Sequence, residues 1–130
     1  MKTIKQAVHI NASSDEVYEA YVDAKKHAEF TGGNTKFEAN AGGKFKIWDG
    51  DLSGENVELV PGKKIVQKWR ANDWAEGHFS DLTIQLEPED DGTKLTLIQG
   101  NAPDDKADDI DKGWHEYYWE PMNKYFEKEN

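Results

Sequence analysis

The sequence predicts an α+β fold: a curved antiparallel meander sheet wrapped around a long C-terminal helix, with two short helices after the first strand. Three observations carry that expectation. Residues 42–80 alternate apolar and polar side chains and are cut at short intervals by Asp49-Gly50 and Pro61-Gly62, with Asn72-Asp73 opening a third connection. Ile110, Trp114, Tyr117, Tyr118, Met122, Tyr125 and Phe126 recur at spacings of three and four, the period of an amphipathic helix. Between these regions and the N-terminus lies a helix-capping pattern at Ser13.

In chain order, residues 3–11 place Ile4, Val8 and Ile10 on one face, as a first strand would. Ser13 with Glu16 forms a capping box, and Ala12 and Val17 hold the staple positions, so a helix is expected from Ser14 to about Val22. A second short helix, about Ala24 to Phe30, should end at Gly32-Gly33, where glycine accepts a left-handed terminus. Strands are expected at about 36–39, 44–48, 54–60, 63–70, 77–88 and 93–100, with Asp91-Gly92 turning into the last. On the strand at 77–88, Leu82, Ile84 and Leu86 share a face with Ser80 and His78. Pro121 interrupts the final helical pattern, and the loss of its donor and its clash with the carbonyl four residues earlier predict a kink there. A ring-rich helix of this length must bury its apolar face, and the concave side of the sheet is the surface available.

Composition narrows the function. At 130 residues the chain is expected to form one domain, 1–130. It has no cysteine, which excludes disulfides, thiolate metal ligands and a cysteine nucleophile. A net charge of -10 with Arg70 as the single arginine argues against a nucleic-acid partner, because a phosphate backbone must be neutralised by clustered cations. The acidic stretches 87–91 and 104–111 read as solvated surface, and the second lacks the glycine and terminal Glu of a calcium loop. There is no run of apolar residues long enough to span a membrane and no secretion signal at the N-terminus, so a cytoplasmic location is expected.

Four segments, DG-x-x-SGE at 49–55, VPGKKIV-x-KWR at 60–70, EGHFS at 76–80 and GW-x-x-YY at 113–118, follow one another in a distinctive order and spacing. Together they resemble the C-terminal domain of the activator of the 90-kDa heat-shock chaperone ATPase, from about Ile4 to Phe126. The resemblance implies a START-like, polyketide-cyclase-like helix-grip fold, whose wider superfamily includes proteins that hold lipids or aromatic molecules in a cavity. It also implies a possible chaperone or client partner. In the eukaryotic co-chaperone a separate N-terminal domain makes the main contact with the chaperone, and that contact is expected to be missing here.

The residues themselves offer no catalytic apparatus. His9, His27, His78 and His115 have no metal-ligand spacing, and neither a metal nor a cofactor is expected. Ser13 and Ser14 are capping residues, and Ser53 and Ser80 lie in strands without a nucleophile elbow. Gly32-Gly33 and Gly42-Gly43 are turn glycines, not a phosphate cradle. Trp69, His78, Ser80, Trp114 and Tyr118 are the candidates for lining a cavity, because aromatic rings with polar tips suit one. His78 could present its imidazole at the mouth or instead fix the loop at 72–77. Arg70, pointing away from Trp69, is expected to pair with a carboxylate on the outer face of the sheet. The expected function is therefore non-enzymatic binding of a small apolar or aromatic ligand. The alternatives are a protein-interaction domain for a chaperone or client, and a cyclase- or hydrolase-like enzyme.

Overall fold

In the computed structural model, which describes residues 1–129, the strands are β1 (Lys2–Ile10), β2 (Thr35–Phe37), β3 (Lys44–Ile47), β4 (Leu52–Val60), β5 (Lys64–Ala71), β6 (Ser80–Glu89) and β7 (Gly92–Ala102). The helices are α1 (Ser14–Val22) and α2 (Ala24–Thr31) after β1, and α3 (Ala107–Trp114) and α4 (Glu120–Glu129) at the end. All strands pair antiparallel in the order β1-β7-β6-β5-β4-β3-β2, so the meander from β2 to β7 accepts β1 beside its last strand. The expected α+β helix-grip architecture is the observed one.

Local chemistry sets the helix boundaries. Ser13 Oγ accepts from the Glu16 backbone N–H while Glu16 Oε1 accepts from the Ser13 N–H, both at 3.2 Å. Asp23 ends α1 and caps α2 through its carboxylate on Lys26 N–H at 3.0 Å. Gly32 closes α2 at φ 74, a conformation that costs a residue with a side chain.

One face of the sheet supplies the core. Ile65 and Trp69 of β5, Leu82, Ile84 and Leu86 of β6, and Leu95 and Leu97 of β7 are all buried, and their sequence neighbours face outward. The terminal helix covers this face with Trp114, Tyr118, Trp119, Met122 and Phe126.

The regular α-helical pattern breaks before Pro121. Residues His115–Trp119 form a π-type turn between α3 and α4, with the Glu120 N–H donating to His115 O. The wider turn brings Trp119 over Trp114, with centroids 5.4 Å apart and ring planes 12° from parallel. It also turns Tyr117 outward, leaving it 54% exposed. Tyr117 therefore leaves the buried stripe that a period of 3.6 assigns to it, and Trp119 takes its place.

Candidate functional site

β3 ends at Ile47, one residue earlier than the alternation suggested, and Trp48–Gly50 form a single tight turn. Trp48 and Asp49 both have positive φ, 52 and 57, in the region that a bulky side chain rarely occupies. The turn is held by the Trp48 N–H on Asn34 O at 2.8 Å and by Asn34 Nδ2 on Asp49 Oδ1 at 2.7 Å. It swings the indole over Gly33, where an added Cβ would collide with the ring, and edge-on to Tyr117 and Tyr118. Glycine at 33 is thus a condition for this placement of Trp48.

Trp48 forms one wall of a cleft of about 300 Å³ between the β4–β5 end of the sheet and α3. Trp69 and Trp74 line the sheet side, their rings edge-to-face at 5.6 Å. Trp114 and Tyr118 line the helix side, 4.8 Å apart, and Trp69 meets Trp114 at 5.6 Å. Half-buried Leu52, Ala71 and Ile110 complete an apolar lining. At the mouth, Lys106 Nζ donates to Asp73 Oδ2 at 3.0 Å, with Asp109 beside them. The hydrogen bond and charge of Asp73, helped by Asp105 and Asp109, raise the Lys106 pKa and keep it cationic.

Buried hydrogen bonds fix the rings. Trp114 Nε1 donates to Gln99 Oε1 at 2.8 Å, Gln99 Nε2 donates to Ser80 Oγ at 3.0 Å, and Ser80 Oγ donates to Trp69 O at 2.7 Å. Trp119 Nε1 donates to Gln6 Oε1 at 2.8 Å. Trp69 Nε1 differs: among the described residues it is the buried side-chain nitrogen or oxygen with no hydrogen-bond partner. An unpaired buried donor costs about 1–3 kcal/mol.

Behind Tyr118 lies His27, fully buried in α2. Its Nδ1 lies 2.7 Å from Tyr21 O and its Nε2 2.9 Å from Tyr118 Oη. A carbonyl only accepts, so Nδ1 carries the proton and Nε2 accepts from the Tyr118 hydroxyl. Burial lowers the His27 pKa to about 4 against the opposing pull of the Tyr21 carbonyl. Burial raises the Tyr118 phenol well above its ordinary value, with Tyr21 adding to the shift. This neutral pair is committed to the protein's own packing.

Of the five residues picked from sequence, Trp69, Trp114 and Tyr118 come together around the cleft, while Ser80 and His78 lie outside its lining. Ser80 sits in the hydrogen-bond chain beneath Trp69. His78 precedes β6, which begins at Ser80, not Gly77; its Nε2 donates to Asn101 O at 2.8 Å and its ring packs edge-on to Trp74. Arg70 also departs from expectation. Among the described residues its guanidinium pairs with no carboxylate; it donates to the carbonyls of Trp74, Ala75 and His78, which the irregular β5–β6 loop leaves without ladder partners. Trp48 and Trp74 are the lining residues that strand alternation missed, because both sit in turns. The only sequence signals near them are Asp49-Gly50 and Asn72-Asp73.

A seven-stranded antiparallel sheet closed by a ring-rich terminal helix is a helix-grip, START-like domain. The family model for Activator of Hsp90 ATPase homolog 1-like proteins matches residues 11–127, and the chain belongs to that family. It is 35% identical over 114 residues to the human activator of 90 kDa heat shock protein ATPase homolog 1, a match covering 88% of this chain and 34% of the human one. The chain thus spans about a third of the length of the curated relatives it matches. An Hsp90 activator from Plasmodium falciparum has the same fold, with a TM-score of 0.91 at 22% identity over 97% of this chain and 96% of that one. A protein of the dynemicin biosynthetic locus shares it at a TM-score of 0.82 and 20% identity, over 98% of this chain and 48% of the other.

Proposed function

We propose that the protein is a non-enzymatic binding module that takes a small apolar or aromatic ligand into the tryptophan-lined cleft. The observation that carries the reading is the apolar cleft of about 300 Å³ walled by Trp48, Trp69, Trp74, Trp114 and Tyr118. That volume lies at the low end of the range for small-molecule sites, about 300–1,000 Å³, and suits one compact ring system.

The test is a titration of the labelled protein with lipids and flavonoid-like aromatics, following the indole and backbone amide signals. Indole shifts at Trp69, Trp74 and Trp114 are expected. An aromatic contact is worth about 1 kcal/mol, so Trp74→Leu should weaken an aromatic ligand about fivefold. Shifts confined to residues outside the cleft for every compound would end the proposal.

Family membership favours a second reading, contact with a 90-kDa heat-shock chaperone through the outer surface. Co-sedimentation with that chaperone and stimulation of its ATPase by this chain are the expected results. Absence of both at micromolar concentrations rejects it.

A further inference from the structure

The convex face of the sheet carries a charge arrangement unrelated to the cleft. Lys44, Glu55, Lys68 and Asp81 lie opposite one another across β3, β4, β5 and β6, so that row alternates in sign. The adjacent row runs Lys36, Lys46, Ser53 and Arg70 across β2, β3, β4 and β5, three cations with no carboxylate between them. Lys36 and Lys46 are directly opposed, an arrangement that destabilises a sheet. Neither takes part in an ion pair among the described residues, whereas Lys26, Lys64, Lys68 and Lys106 each meet a carboxylate. In a chain of net charge -10 this unneutralised row stands out.

The surface there is a shallow open groove of about 790 Å³. Its floor is low because Ser53, between Lys46 and Arg70 in the row, is small. Lysines 36, 44, 46 and 68 form its sides. Phe79, 37% exposed, closes one end with its centroid 5.9 Å from the Arg70 guanidinium carbon.

We propose that this groove docks an acidic, extended segment of a partner protein. From Lys36 to Arg70 the row crosses three strand spacings, about 14 Å, which about four residues of extended chain span. Carboxylates on the segment neutralise Lys36 and Lys46, and an apolar side chain rests on Phe79. A peptide matches this groove better than a nucleic acid does, because Glu38 and Glu55 line the same walls and would face a continuous phosphate backbone. A second copy of this chain would bring another -10 of charge to the face.

Fluorescence anisotropy of the full chain with a short labelled peptide, glutamates alternating with serines around one phenylalanine, tests the proposal. Binding should weaken as salt rises, and a peptide with glutamine for glutamate should bind at least about tenfold more weakly. Lys36→Glu should lower affinity about tenfold while its melting temperature stays level or rises, since opposite charges then face each other across β2 and β3. Lys46→Gln removes a charge without reversing one and should weaken binding in the same direction. The proposal is overturned if the glutamine peptide or Lys36→Glu binds equally well, or if a labelled oligothymidylate binds more tightly than the peptide. It is equally overturned if sedimentation shows a wild-type dimer that Lys36→Glu disperses. None of these outcomes depends on the cleft being occupied.

Discussion

At the scale of single residues, the buried imidazole of His27 governs the acid response. Its folded pKa of about 4 lies below the ordinary 6.5, so the unfolded chain binds a proton first as pH falls. Above pH 6.5 both states hold His27 neutral and stability is independent of its titration. Between 6.5 and about 4 the unfolded state alone is protonated, and stability falls by up to about 3 kcal/mol. Urea unfolding from pH 7.5 to 4.5, compared with His27→Gln, should show this extra acid sensitivity in the wild type alone. Parallel pH profiles would assign it to other groups. The residue gave little sign of itself in the sequence, because one histidine in a short polar helix looks the same whether buried or solvated. Trp48 was hidden for a related reason: alternation assigns it to a strand, but Asp49-Gly50 pulls it into the turn at φ 52, which costs about 1–3 kcal/mol.

At the scale of elements, the capping box, the glycine stop and the hairpin turns were legible because each depends on residues close in sequence. Ser13→Ala should lower the unfolding free energy by about 1 kcal/mol, since it removes the acceptor for the Glu16 N–H without touching the core. Denaturant midpoints at unchanged slope would measure it. The terminal helix was legible in extent but not in phase. A 3.6-residue period places Tyr117 on the buried stripe, and the π-type turn before Pro121 replaces it with Trp119. That turn also sets Tyr118 against His27, tying the terminal helix to α2. Tyr118→Phe keeps the ring but leaves His27 Nε2 without its donor, so a loss of about 1–3 kcal/mol is expected from the same unfolding measurement. A loss well below this would mean that the imidazole finds another partner.

At the scale of the whole molecule, the meander and the covering helix followed from turn signals and periodicity, but the place of β1 beside β7 and the polar interior did not. Gln67, Gln99 and Ser80 occupy inward positions of otherwise apolar strands, where alternation expects hydrophobic side chains. They are there because Trp114, Tyr21 and Asn56 need partners, and those partners lie far away in sequence. The cleft is likewise a product of assembly: Trp48 comes from one turn, Trp74 from another, and Trp114 from a helix at the far end of the chain. A bound ligand would therefore bridge elements that otherwise meet at this mouth through Lys106 and Asp73. At a hundred times its dissociation constant, a ligand specific to the folded state adds about 2.7 kcal/mol of stability. Hydrogen exchange should then slow at both ends of the bridge, in the β5–β6 loop around Asp73 and Trp74 and in α3 from Ala107 to Trp114. The β6–β7 hairpin at 89–92, none of whose residues lines the cleft, should exchange at its original rate. Protection centred on β2 and β3 instead would place the ligand on the convex face and leave the tryptophan cleft without an occupant.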